Sequence, residues 1–127
     1  MRLNHVALVC SSEANCDRFY GQLLRLEKQE TKSITAEVSD GIFQVNAPYH
    51  MLNYGDDRLK LEIFISDRRD FVEQQIGHVC IDVDDLDRFL ADCTAFEVEV
   101  RRVPKGDSHV TFVKDYDGNL FEIKQGV

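Results

Sequence analysis

The chain has 127 residues, enough for one compact domain or for two small modules that share a core. Its 15 Lys and Arg against 23 Asp and Glu give a formal net charge of -8, and no run of cations interrupts the acidic balance. Sequence-independent binding to a nucleic-acid backbone is thereby excluded, because it needs clustered positive charge. With 43% hydrophobic residues, no apolar run approaches the roughly 20 residues of a bilayer-spanning helix, and Met1-Arg2-Leu3-Asn4-His5 has no signal-peptide core. A cytoplasmic protein with neither nucleic acid nor membrane as partner is expected.

Residues 3 to 10 read as a strand, with Leu3, His5, Ala7 and Val9 on one face and Val6, Leu8 and Cys10 on the other. From Ser12 the period changes. Cys16, Phe19, Tyr20, Leu23 and Leu24 form the stripe of an amphipathic helix, with Ser11 or Ser12 as its N-cap. Between residues 26 and 57, short apolar runs alternate with Asp40-Gly41, Ala47-Pro48 and Gly55-Asp56-Asp57, a spacing that predicts hairpin-linked strands and no helix. Residues 58 to 66 alternate Leu59, Leu61, Ile63 and Ile65 against Lys60, Glu62, Phe64 and Ser66, as a strand does. The charged stretch 67–76 reads as a connector.

The order then repeats: strand 77 to 83, helix 85 to 95, strand 97 to 103, a turn at Pro104-Lys105-Gly106-Asp107, strand 109 to 114, a turn at Tyr116-Asp117-Gly118-Asn119, and strand 120 to 125. Leu86, Phe89, Leu90 and Cys93 stand 70 positions after Cys16, Phe19, Tyr20 and Leu23, so the two helix stripes superpose without a gap. Such self-similarity signals a duplicated unit. The fold class expected is α+β, with two modules of about 1–66 and 77–127 in a single domain 1–127. Cys10, Cys16, Cys80 and Cys93 form no C-x-x-C pair and fall within apolar patterns, which predicts four buried free thiols. His50 and His109 have no counterpart in the other half and read as surface or turn residues. Asp82, Asp84, Asp85 and Asp87 lack the spacing of a calcium loop and read as a strand end and helix N-cap.

Each half carries one histidine at the mouth of its first strand and one glutamate between two bulky apolar residues in its last: His5 with Glu62, His78 with Glu122. Alternation sends all four away from the helix-packed face. Taken singly, such a histidine is more often a half-buried hydrogen-bonding residue, and such a glutamate more often faces solvent. Their recurrence at matched positions favours a shared divalent metal, since imidazole suits Zn, Fe, Ni or Cu and carboxylate admits Mn. Four ligands on an octahedral ion leave two positions for water or substrate, whereas a tetrahedral zinc would be closed.

The stretches Leu3-Asn4-His5-Val6-Ala7-Leu8, Phe19-Tyr20, Gly77-His78-Val79-Cys80-Ile81-Asp82-Val83-Asp84-Asp85-Leu86 and Phe112-Val113-Lys114-Asp115-Tyr116-Asp117-Gly118-Asn119-Leu120-Phe121-Glu122-Ile123 resemble the vicinal oxygen chelate superfamily of glyoxalases, bleomycin resistance proteins and dioxygenases. Tyr116 stands where a proline is usual. The resemblance covers nearly the whole chain and is closest in pattern to glyoxalase I-like proteins. It implies paired βαβββ modules forming a cleft-shaped mixed β-sheet half-barrel, commonly in a homodimer, around a divalent metal (Zn, Ni, Mn, Co or Fe) held by His5, Glu62, His78 and Glu122. It also implies a small-molecule carbonyl substrate polarised by the metal and a proton moved by a glutamate, Glu122 first and Glu62 second. Val9 and Ser66 replace an arginine and an asparagine that help hold glutathione in bacterial glyoxalase I, which argues against lactoylglutathione. A methylmalonyl-CoA epimerase-like enzyme and a non-catalytic drug-binding resistance protein are the alternatives.

Overall fold

Strand parity decides the architecture of both halves. In a computed structural model, which describes residues 1–67 and 76–126, the chain divides into two compact units, Met1–Arg69 and Asp70–Val127. Most of the connector expected over 67–76 lies outside the described residues.

In the first unit, β1 (Val6–Cys10) leads into a helical run that is α-helical over Glu13–Cys16 (α1) and π-helical over Asp17–Leu23. The Ser12 hydroxyl accepts from the Asn15 amide and caps the run. Gly21 is accommodated within it, and Cys16, Phe19, Tyr20 and Leu23 are buried as the stripe requires. The sheet takes the order β1-β5-β4-β2, from β5 (Lys60–Ile65), β4 (Tyr49–Gly55) and β2 (Glu27–Lys28), with β3 (Lys32–Ile34) also paired to β4. β1 runs parallel to β5, with Val6 opposite Leu61 and Cys10 opposite Ile65. Leu61 and Ile63 are fully buried while Glu62 between them is not. Burying a side chain of that size stabilises by about 1.5–3 kcal/mol, so the register that points Leu61 and Ile63 inward is strongly favoured over a one-residue slip.

The hairpin reading of residues 26 to 57 holds for β4 and fails in the middle. Residues 36–43, expected as strand and turn, form a helix, α2 (Ala36–Phe43). The Thr35 hydroxyl accepts from the Val38 amide at its start, and Gln44 ends it in the left-handed region at φ 59°. A cap at one end and a left-handed residue at the other outweigh the weak helix propensity of Val38 and Gly41. At the β4–β5 turn, Asp56 accepts from the amides of Arg58 and Leu59. A Cβ on Gly55 would stand 2.6 Å from the Leu59 carbonyl oxygen, so only glycine fits there.

The second unit repeats the plan: β6 (Val79–Val83), α3 (Leu86–Ala95), β7 (Val100–Lys105), β8 (Ser108–Lys114) and β9 (Leu120–Gln125), in sheet order β6-β9-β8-β7. β6 runs parallel to β9 as β1 does to β5. The pairing is extended in both units by an equivalent bond, from the Ser66 amide to the Cys10 carbonyl and from the Gly126 amide to the Val83 carbonyl. Asp85 caps α3 by accepting from the Arg88 amide, as read from the acidic cluster. Phe89 and Cys93 are the buried residues of α3, and burial pushes the Cys93 thiol up to about 11.

Two expectations are corrected here, the turn at Pro104 and Lys105 and the burial of Cys80. Pro104 and Lys105 belong to β7, and the turn tightens onto Gly106 and Asp107; β7 is an edge strand, where a proline needs no partner for its missing N–H. His50 and His109 are surface residues, as read, and stand on β4 and β8. Cys10, Cys16 and Cys93 are buried free thiols, whereas Cys80 is exposed, because its parity on β6 places it opposite Val79 and Ile81.

Candidate metal centre

Parallel pairing of first and last strand fixes the geometry of each histidine and glutamate. Glu62 lies opposite Ala7 and Glu122 opposite Cys80, and in each case the histidine precedes that partner by two residues. Side chains two apart on a strand share a face, so each imidazole meets the carboxylate diagonally across the ladder. In the first unit His5 Nε2 lies 3.0 Å from Glu62 Oε2. In the second, His78 Nε2 lies 3.4 Å from Glu122 Oε2. Glu62 and Glu122 side chains are only 14% and 17% exposed, which removes the carboxylates largely from bulk water.

The other ring nitrogen narrows the hydrogen bonding open to each imidazole. His78 Nδ1 lies 2.7 Å from the Ile76 carbonyl oxygen, which can only accept. Nδ1 therefore donates, which leaves Nε2 to face Glu122 with a lone pair when the ring is neutral and with an N–H when it is protonated. His5 Nδ1 lies 2.9 Å from Asn4 Oδ1, so its Nε2 is likewise left to face a carboxylate. A lone pair facing a carboxylate requires a proton or a cation between them. Two donors bound to one ion at about 2.1 Å each stand roughly 3.0 Å apart at a right angle and 3.4 Å apart at a tetrahedral one. The donor types and separations in both units fit a divalent ion. Each unit by itself contributes two donors, and among the described residues no group of three or more His, Cys, Asp and Glu is gathered that could hold a metal ion.

Residues not singled out by spacing also flank these pairs. Asn53 lies opposite Glu62 on β4 and is buried; its Nδ2 donates to the Glu30 carbonyl, and Oδ1 has no partner among the described residues. Phe112, opposite Glu122 on β8, packs edge-on against the His78 ring at 5.0 Å. Lys124 Nζ approaches Glu122 Oε1 at 3.7 Å. Cys80 sits beside Glu122, and partial desolvation together with that negative charge raises its thiol pKa. Lys124 follows Glu122 by two on β9 and could have been found from spacing, whereas Asn53, Phe112 and Cys80 depend on register, which is invisible until the strands are paired.

Two units, each with its first strand parallel to its last and a His–Glu pair across that ladder, define the class: an α+β fold of two sheets with matched topology. The chain belongs to the Glyoxalase/Bleomycin resistance protein/Dioxygenase superfamily, whose profile matches residues 2–123. A glyoxalase family protein from Enterococcus faecalis has a similar structure, with a TM-score of 0.71 at 23% identity, covering 96% of this chain and 95% of that one. A variant of the fosfomycin resistance protein FosX from Listeria monocytogenes, complexed with Mn(II) and 1S,2S-dihydroxypropylphosphonic acid, matches with a TM-score of 0.74 at 17% identity, covering 99% and 93%. A glyoxalase family protein from Bacillus cereus matches with a TM-score of 0.71 at 17% identity, covering 99% and 95%. No curated protein sequence matches the chain.

Proposed function

We propose that the chain is a metal-dependent lyase or isomerase of glyoxalase type, acting on a small substrate that carries a carbonyl next to an acidic C–H. The observation that supports it is the twofold His–Glu pair, with each imidazole Nε2 3.0–3.4 Å from a carboxylate oxygen. His5, Glu62, His78 and Glu122 would hold the ion. When bound, a divalent metal supplies polarisation of the carbonyl and so acidifies the neighbouring C–H. Glu122 takes that proton and returns it at the adjacent position, while Glu62 remains a ligand. The nearby Lys124 ammonium balances the charge on Glu122 between turnovers. Mn(II) in the FosX structures is in keeping with a hard, oxygen-accepting ion of this kind.

Metal content decides the reading. Purified protein should contain or take up one divalent ion for each set of four ligands, with loss in His5→Ala and His78→Ala alike. Protein that neither contains nor binds Mn(II), Ni(II) or Zn(II) in elemental analysis and titration calorimetry overturns it. For the proton step, wash-in of deuterium from heavy water into an α-hydroxycarbonyl substrate should occur with the metal-loaded protein only.

A further inference from the structure

The face of the first sheet that carries His5 and Glu62 holds a second group of residues that metal chemistry leaves unused. Phe64 follows Glu62 by two positions on β5 and shares its face, the two Cα atoms about 7 Å apart. Val9 is the partner of Phe64 on β1. Tyr49, on the same face of β4, has its ring centroid 6.1 Å from that of Phe64. α2 lies over this face as well: Phe43 meets Phe64 edge to face at 5.5 Å and 82°, and Ser39, one turn earlier on the same side of the helix, is completely buried. Yet Val9 is 49% exposed and Phe43 48% exposed. These residues therefore form an apolar wall, continuous with the His5–Glu62 pair, whose surface is only half covered by the chain's own packing. In the second unit the place of α2 is taken by the tight turn at Gly106 and Asp107, so the wall is confined to the first.

We propose that Phe43, Phe64 and Val9 are specificity-determining residues that receive an apolar, preferably aromatic, substituent on the oxygen-bearing skeleton held at the His5–Glu62 pair; this rests on the metal-enzyme reading above. A substituent two or three bonds from the chelating oxygens reaches Phe64, and Phe43, carried by α2, limits its length. An aryl group covers the half-open rings and removes apolar surface from water, whereas a methyl group leaves them wet. The difference amounts to about tenfold or more in affinity.

The probes are acetohydroxamate and benzohydroxamate, two oxygen chelators that differ in methyl against phenyl, titrated calorimetrically into the Ni(II)-loaded protein and normalised to their affinities for free Ni(II). The wild type should prefer benzohydroxamate by about tenfold. Phe43→Ala and Phe64→Ala should bring the ratio toward one, Phe64→Leu should give an intermediate value with the strand's apolar bulk retained, and Val103→Ala in the second unit should leave it unchanged. A wild-type ratio near one, or a ratio that survives both phenylalanine variants, overturns this inference while leaving the metal site standing. Failure of both chelators to bind in a metal-dependent way overturns the metal-enzyme reading, and this inference with it.

Discussion

The two units share strand order, parallel pairing and a His–Glu pair, but they differ in how the outer strands are joined. In the second unit β7 and β8 form an unbroken antiparallel ladder from Val100 opposite Val113 to Lys105 opposite Ser108. In the first, the strand beside β4 is split into β2 and β3, and α2 occupies the place of the turn. The strands that position the candidate ligands are thus the ones held alike, while the outer edge varies. A sheet tolerates this because side-chain placement on β1 and β5 depends on their mutual register and the apolar stripe beneath them, not on the length of the connection at the far edge.

That comparison can be broken most directly at the glutamates. At saturating metal, Glu122→Gln should lower proton exchange by about a thousandfold, while Glu62→Gln lowers it far less and mainly weakens metal affinity. Equal losses of exchange in both would show the two units to be equivalent in chemistry as well as in fold. The turns give the next largest contrast. Gly55→Ala forces a Cβ against the Leu59 carbonyl and should cost about 2–3 kcal/mol in urea unfolding. Gly106→Ala meets open space and only the strain of φ 62°, so about 1 kcal/mol is expected.

The smallest contrast lies in two tyrosine locks. Tyr54 donates to the Asp17 carboxylate at 2.7 Å, and Tyr116 donates to the neutral Phe96 carbonyl at 2.5 Å. Burial alone would raise the Asp17 pKa, but the hydrogen bonds from Lys28 and Tyr54 outweigh it and hold the carboxyl below its ordinary value. The folded-state pKa being the lower, this contribution is present above the ordinary carboxylate range and fades as pH falls through the depressed value. Tyr54→Phe should therefore cost about 2 kcal/mol near neutrality and less in acid, while Tyr116→Phe costs about 1 kcal/mol throughout. Urea midpoints measured from neutral pH down into acid test both.

Much of this plan was legible because it rests on apolar periodicity. The superposed stripes of Cys16, Phe19, Tyr20 and Leu23 with Leu86, Phe89, Leu90 and Cys93 announced the duplication, and alternation around Glu62 and Glu122 gave the face they point to. α2 was hidden because its eight residues include Val38, Asp40 and Gly41, which locally favour strand and turn, while its support comes from Thr35, Gln44 and the ring of Phe64. Cys80 was misjudged because it sits in an apolar run whose alternate members face opposite ways. Asn53 and Phe112 as neighbours of the glutamates depend on cross-strand register, which no single segment encodes.

The parallel ladders also bear on how the chain reaches its fold. Val6 finds its partner only when Leu61 is available, and Val79 only when Phe121 is. Between those events β1 and β6 expose unpaired edges, while the hairpins β4–β5 and β7–β8 close locally and quickly. During synthesis the first strand of each unit must wait for the last. The His–Glu pair of each unit spans that ladder, so neither pair can assemble before the last strand of its unit is in place.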